Sequence, residues 1–96
     1  MQGQYKIPGG KLVVVDLELD QGRLYRVQVS GDFFIEPDSA LAVINQALEG
    51  QAANAGQATF AAAIDAALPA QVQLYGISAD GVAVAVQRAL DSGANA

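Results

Sequence analysis

The sequence predicts a single α+β domain, in which an antiparallel sheet is packed against three helices. Apolar and polar residues alternate through the first third of the chain, a pattern typical of strands. Later in the chain, apolar residues recur every three or four positions, a pattern typical of helices. Strands followed by helices favour the α+β class. The 96 residues contain no repeat and are enough for one domain spanning residues 1–96.

Three strands are predicted, at about residues 11–20, 23–30 and 32–36. The first has one apolar face, formed by Val13, Val15, Leu17 and Leu19. In the second, we expect the core-facing residues to be Tyr25, Val27 and Val29, and the outward-facing ones to include Leu24 and Arg26. A short turn joins these two strands, so they should be antiparallel neighbours, with Arg26 near Asp16 or Glu18.

The third predicted strand contains two adjacent aromatic residues, Phe33 and Phe34. Adjacent residues of a strand face opposite sides of the sheet, so one phenylalanine can enter the core. The other needs cover from a helix, a loop or a partner protein. The simpler alternative is that both belong to the core of a sheet that is covered on both faces.

Three helices are predicted, at about residues 38–49, 57–68 and 79–91. Residues 36–38, EPD, should start the first helix, because proline and acidic residues favour a first turn. Ser78 is a suitable N-cap for the third helix, and Gly93 should close that helix. Between the second and third helices, residues 71–77 are either a short strand or an extended connector.

The composition argues against several classes of function. The chain has no cysteine and no histidine, which removes disulfides, thiolate metal sites, cysteine nucleophiles and Ser-His-Asp triads. Its net charge of −5 is opposite in sign to what a phosphate-backbone binder needs, so no nucleic acid is expected as a partner. No signal peptide is recognisable and no apolar run approaches the ~20 residues of a membrane span. A cytoplasmic protein without membrane contact is therefore expected.

Residues suited to catalysis are scarce. Asp16, Glu18 and Asp20 are on the predicted solvent side of the first strand, and their spacing is not that of a metal-binding loop. We therefore predict no catalytic residue and no metal site in this chain.

The two lysines of the chain flank a Pro-Gly-Gly segment, which gives the cluster Lys6, Pro8, Gly9, Gly10 and Lys11. Two glycine N–H groups between two ammonium groups could form a small anion-binding concavity. The plainer alternative is a tight turn that starts a strand, with both lysines in water. A nucleotide-binding P-loop does not fit, because that motif has a different glycine spacing and leads into a helix.

Two segments resemble the C-terminal, or accessory, domain of lipoate–protein ligases. Residues 5–12, YKIPGGKL, resemble the Lys-x-Pro-Gly-Gly-Lys-Leu motif that opens this domain. A second motif, Gly-Asp-Phe-Phe at the start of the third strand, is matched by Gly31, Asp32, Phe33 and Phe34. The resemblance covers the N-terminal half well, whereas the alanine-rich second half agrees only in its helical pattern. It implies a fold similar to those of iron–sulfur scaffold and sulfur-acceptor proteins.

The resemblance implies a non-catalytic accessory subunit of a split lipoate–protein ligase. Such ligases use ATP to convert lipoate to lipoyl-AMP and then transfer the lipoyl group to a lysine of an acceptor domain. ATP, Mg and lipoate are bound by a large catalytic subunit, so this chain alone is expected to hold no cofactor. The chain looks like a freestanding partner of that subunit, needed for adenylation more than for transfer. It is expected to meet lipoyl acceptor domains only indirectly.

In this role, the Pro-Gly-Gly segment would face the partner's adenylate site. Lys6 and Lys11 would place positive charge beside the phosphates of ATP, and the two glycines would allow a close approach. Phe33 or Phe34 would pack at the edge of the core or in the interface.

Two other interpretations come from the same scaffold. A sulfur acceptor works through a cysteine, which this chain lacks. A non-enzymatic binding or regulatory module without a ligase partner stays open as an alternative. The choice between lipoate, octanoate and another small acid is open as well.

Overall fold

The computed structural model describes residues 1–94. These residues form five strands and three helices, in the order β1 (Gln2–Lys6), β2 (Leu12–Asp20), β3 (Arg23–Gly31), β4 (Phe34–Glu36), α1 (Ala40–Leu48), α2 (Gln57–Ala67), β5 (Gln73–Tyr75) and α3 (Ala79–Ala94). The first three strands build an antiparallel sheet in the order β1-β2-β3. α1 and α3 pack on its apolar face, and α2 packs against both of these helices. The predicted α+β class, with a three-stranded antiparallel sheet and three helices, is confirmed.

The third strand of this sheet is β1, and not residues 32–36 as the sequence predicts. β1 runs antiparallel to β2 along its whole length, and its inward positions are Gly3 and Tyr5. At Gly3 the backbone of α3 lies so close that an added Cβ would be 2.2 Å from the carbonyl oxygen of Ala85. A strand with glycine on its buried face shows little apolar alternation, so periodicity does not reveal it.

Residues 34–36 do form a strand, but β4 pairs with β5 in a separate two-stranded antiparallel ribbon, which we call the β4–β5 ribbon. The main sheet ends at Gly31, where φ is +149° and the chain turns away. The next residue, Asp32, donates its N–H to the carbonyl of Leu12 at 3.2 Å. Of the two alternatives for residues 71–77, the short strand is therefore correct.

A β-bulge changes which side chains of β3 face the core. One residue of β2 lies opposite two residues of β3, and Arg26, one of these two, has a φ of +53°. Beyond the bulge the alternation is reversed, so Leu24 is buried and Tyr25 is 43% exposed, contrary to the prediction. Val27 is buried as predicted. The guanidinium of Arg26 lies 3.8 Å from the carboxylate of Glu18, one of the two partners expected for it.

The three helices lie where the sequence places them, with differences at their ends. α1 begins at Ala40, and Pro37 lies in the turn before the helix, where its carbonyl accepts the Ala40 N–H at 3.0 Å. The N-cap of α3 is Ser78, whose Oγ accepts the N–H of Gly81 at 3.0 Å. Gly93 does not close α3 as predicted: it lies inside the helix and leaves room for the side chain of Met1.

The core is apolar and draws on the sheet and all three helices. Its largest fully buried side chains include Phe60, Leu17, Leu24, Ile44, Leu48, Ile64, Val82 and Val86. Leu19, predicted to complete the apolar face of the first strand, is instead 40% exposed, because it lies beside the hairpin turn where β2 leaves the core. No helix within residues 1–94 is long and apolar enough to cross a membrane.

Candidate functional site

The Pro-Gly-Gly segment forms the hairpin turn between β1 and β2. The N–H of Gly10 donates to the carbonyl of Ile7 at 2.8 Å, which closes a β-turn with Pro8 at its second position. Gly9 has a φ of +73°, as the third position of a type II turn requires, so glycine fits there without strain. The N–H of Ile7 donates to the carbonyl of Lys11 at 3.1 Å and completes the hairpin.

The ammonium group of Lys6 folds back onto this turn. Its Nζ donates to the carbonyl oxygen of Ile7 at 3.2 Å and to that of Gly10. The N–H of Gly10 is already used by the turn, so the two glycine N–H groups are not both free to bind an anion. Lys6 therefore stabilises the conformation of the turn from one side.

Lys11 attaches the turn to the end of β5. Its N–H donates to the carbonyl of Gly76 at 2.9 Å. An added Cβ on Gly76 would lie 2.4 Å from the Cγ of Lys11, so the lysine stem lies directly over this glycine. Within residues 1–94, the Lys11 ammonium group has no hydrogen-bond or ion-pair partner. A cleft of about 210 Å³ separates the turn from residues 76–78.

The second motif places its two phenylalanines differently. Gly31 has no room for a side chain, since an added Cβ would lie 2.1 Å from the carbonyl oxygen of Leu12. Phe33 is half-buried and packs against the core. Phe34 is 57% exposed, and its ring contacts that of Tyr75 across the β4–β5 ribbon, with 5.8 Å between ring centroids. Phe34 is therefore the exposed member of the pair.

An apolar cleft lies beside the exposed phenylalanine. It has a volume of about 270 Å³ and is lined by residues of β3, β4 and α1, including Val29, Phe33, Phe34, Ile35 and Leu41. Asp38 is among its lining residues, and the exposed Asp32 and Glu36 are next to lining residues along the chain. The cleft is therefore lined mainly by apolar side chains, with acidic residues at or near it.

β5 brings the two motifs onto one continuous surface. Its residue Tyr75 contacts Phe34, and the next residue, Gly76, binds Lys11 at the base of the Pro-Gly-Gly turn. The sequence indicated a possible short strand at residues 71–77, but not that it would join the Lys6–Lys11 and Gly31–Phe34 motifs.

The acidic residues of the described chain are dispersed over its surface. No group of three or more His, Cys, Asp or Glu side chains in residues 1–94 is placed to hold a metal ion. Asp16 accepts a hydrogen bond from the Gln2 amide at 3.0 Å, and Glu18 pairs with Arg26, both on the open face of the sheet.

No family model and no curated protein matches this sequence. Its fold is similar to that of a chain in a solved structure from Thermoplasma acidophilum, described as a bi-partite lipoate protein ligase and its E2 lipoyl domain. The two chains share 22% sequence identity, and the superposition has a TM-score of 0.67. It covers 90% of this chain and 97% of the other, so the likeness extends over nearly the whole of both.

Proposed function

We propose that this protein is the non-catalytic accessory subunit of a split lipoate–protein ligase. In this role it binds a large catalytic subunit and supports the ATP-dependent activation of lipoate to lipoyl-AMP. The catalytic subunit binds ATP, Mg and lipoate and transfers the lipoyl group to lysines of acceptor domains. The accessory subunit positions that site and makes no bond itself.

The observation that carries this proposal is the likeness, over nearly the full length of both chains, to a chain from a bi-partite ligase structure. Two features of the chain support it independently. The YKIPGGKL and SGDFF segments resemble motifs of the ligase accessory domain. The structure brings these two segments onto one surface through β5.

The geometry of the Pro-Gly-Gly turn fits a role at an adenylate site. Lys11 has its stem packed on Gly76 and its ammonium group available, so it can place positive charge beside phosphate oxygens. Lys6 has a structural role instead, since its hydrogen bonds to the carbonyls of Ile7 and Gly10 stabilise the conformation of the turn. A preformed turn costs less ordering on binding than a flexible one.

The experiment that tests this function measures lipoyl-AMP formation by the catalytic subunit from the same organism, with and without this protein. We expect adenylation only in the mixture. Transfer from chemically prepared lipoyl-AMP serves as the control, because it should proceed with the catalytic subunit alone. Full adenylation without this protein, together with no complex in gel filtration, would contradict the proposal. Substituting octanoate for lipoate in the same assay identifies the preferred acid.

A further inference from the structure

We infer that the outer face of the β4–β5 ribbon, with the adjoining apolar cleft, is the surface that holds the catalytic subunit. This outer face is formed by Phe34, Glu36, Gln73 and Tyr75. Its occupant is a patch of the catalytic subunit that is apolar at its centre and positively charged at its edge. The inference rests on the proposed function and adds to it the location and chemistry of the interface.

The first argument is the exposure of two aromatic rings in contact. Phe34 is 57% and Tyr75 46% exposed, and within residues 1–94 each has only the other ring as an aromatic partner. The third strongly exposed aromatic residue, Tyr25, differs because the guanidinium of Arg26 lies over its ring at 5.2 Å. Adjacent exposed aromatic side chains beside an apolar cleft are characteristic of protein interfaces, where such rings act as anchors.

The second argument is the charge around these rings. Asp32, Glu36 and Asp38 are exposed, and none of them forms an ion pair within the described part of the chain. These acidic residues favour a partner with lysine or arginine residues at the matching positions, and they disfavour an acidic one. A second copy of this chain that docked through the same surface would bring its own Asp32, Glu36 and Asp38 near these acids, so like charges would oppose such a dimer.

The third argument is that the ribbon is held firmly in place. Its inner face packs on the core through Ile35, which is 4% exposed, and through the half-buried Leu74. The hydrogen bond from Lys11 to Gly76 joins the ribbon to the Pro-Gly-Gly turn. An interface that is already ordered loses little conformational entropy on binding. Binding through the ribbon therefore also fixes where the turn lies on the partner.

In this arrangement, binding of the catalytic subunit and stimulation of adenylation depend on two different parts of one surface. The ribbon supplies affinity through Phe34 and Tyr75, and the turn supplies the effect on adenylation through Lys11. Loss of the aromatic rings should therefore weaken the complex, whereas loss of the lysine should leave the complex formed and lower the rate.

The test measures binding to the catalytic subunit by isothermal titration calorimetry for Phe34→Ala, Tyr75→Ala and the double variant. Each single change should raise Kd on the order of tenfold or more, as expected when an aromatic anchor is truncated. Tyr25→Ala is the matched control, since it removes an equally exposed tyrosine elsewhere on the sheet, and it should bind like the wild type. Circular dichroism of every variant confirms that the fold is retained.

Charge reversal gives a second, independent measurement. Glu36→Lys should raise Kd and make binding less sensitive to salt, whereas Asp65→Lys, on the exposed face of α2, should do neither. If the wild type activates the catalytic subunit and all four interface variants bind as tightly as the wild type, the inference is wrong while the proposed function stands. A wild type that is dimeric in sedimentation and becomes monomeric with Phe34→Ala would also overturn it, because a second copy would then occupy the surface.

Discussion

The carboxylate of Glu49 accepts a hydrogen bond from the backbone N–H of Val27 at 2.6 Å. Two residues further along β3, the N–H of Val29 donates to the side-chain oxygen of Asn45 at 3.0 Å. Both acceptors come from α1 or its C-terminal end, and both donors lie on the outer edge of the main sheet. An open edge strand is a template for pairing with other chains, so these side chains protect the sheet from edge-to-edge association.

Replacing Glu49 with alanine should therefore destabilise the protein. The Val27 N–H would lose its acceptor in a partly buried position, and the free energy of unfolding should fall by about 1–2 kcal/mol. Glu49→Gln is the matched control, because its amide oxygen can still accept the bond, and it should lose clearly less. Urea denaturation followed by circular dichroism measures both. Equal stability of the two variants would mean that the hydrogen bond contributes nothing.

Gly3 should not tolerate a side chain, because α3 packs directly on it. An added Cβ would lie 2.2 Å from the Ala85 carbonyl oxygen and 2.3 Å from the Ala89 nitrogen, both parts of helix backbone that cannot rotate away. Gly3→Ala should cost about 3 kcal/mol, at the upper end of ordinary overpacking. Gln4→Ala, on the exposed side of the same strand, should be nearly neutral. Thermal unfolding of the two variants decides the point, and similar melting temperatures would show that α3 can move aside.

Gly31, the glycine of the second motif, should not tolerate replacement by alanine. Its φ of +149° is rarely adopted by other residues. A Cβ added at this position would lie 2.1 Å from the Leu12 carbonyl oxygen. Gly22 is a useful comparison, since it has a φ of +77° with nothing within 4 Å of an added Cβ. Gly22→Ala should cost about 1–2 kcal/mol from backbone strain alone, and Gly31→Ala should cost clearly more. Chemical denaturation measures the free energy of unfolding of both variants. An equal loss of stability in the two would show that the close contact of Gly31 with the Leu12 carbonyl adds no steric cost.

The two lysines of the turn should respond differently to removal. Lys11→Ala should lower the rate of lipoyl-AMP formation while leaving the complex intact, because it removes the available positive charge. Lys6→Ala should lower the rate less, since its ammonium group serves the turn carbonyls and water can replace it. Stopped assays of adenylation, with Lys11→Arg as the charge-retaining control, measure the effect. If the Lys6→Ala, Lys11→Ala double variant supports lipoyl-AMP formation at the wild-type rate and binds the catalytic subunit with wild-type affinity, the turn has no role in adenylation.

Periodicity in the sequence located β2 and all three helices, because each buries an apolar face, although Leu19 of β2 is exposed beside the hairpin turn. It failed at β1, where Gly3 occupies the buried side and Gln2 and Gln4 supply no apolar signal. It also assigned Tyr25 to the wrong face, since one extra residue at Arg26 reverses the alternation beyond it. The apolar Leu24 and Tyr25 are adjacent, so the sequence alone did not show which of them faces the core.

The candidate site was predictable in its parts but not in its assembly. The motif residues were recognisable in the sequence, and so was the need to cover one of Phe33 and Phe34. Which ring is exposed depends on the pairing of β4 with β5, and strands of three residues are too short to show a period. The contact between Lys11 and Gly76 joins distant parts of the chain, so local patterns carry no information about it.

The contact between β1 and α3 has a consequence for the order in which the fold can form. β1 precedes every other element of residues 1–94, whereas α3, the helix that packs on Gly3, follows all of them. During synthesis β1, β2 and β3 can therefore pair before α3 exists, but β1 then lacks the helix that covers its inner face. We expect β1 to become stably ordered only once α3 has been made, so a chain cut before Ala79 should hold β1 loosely in the sheet.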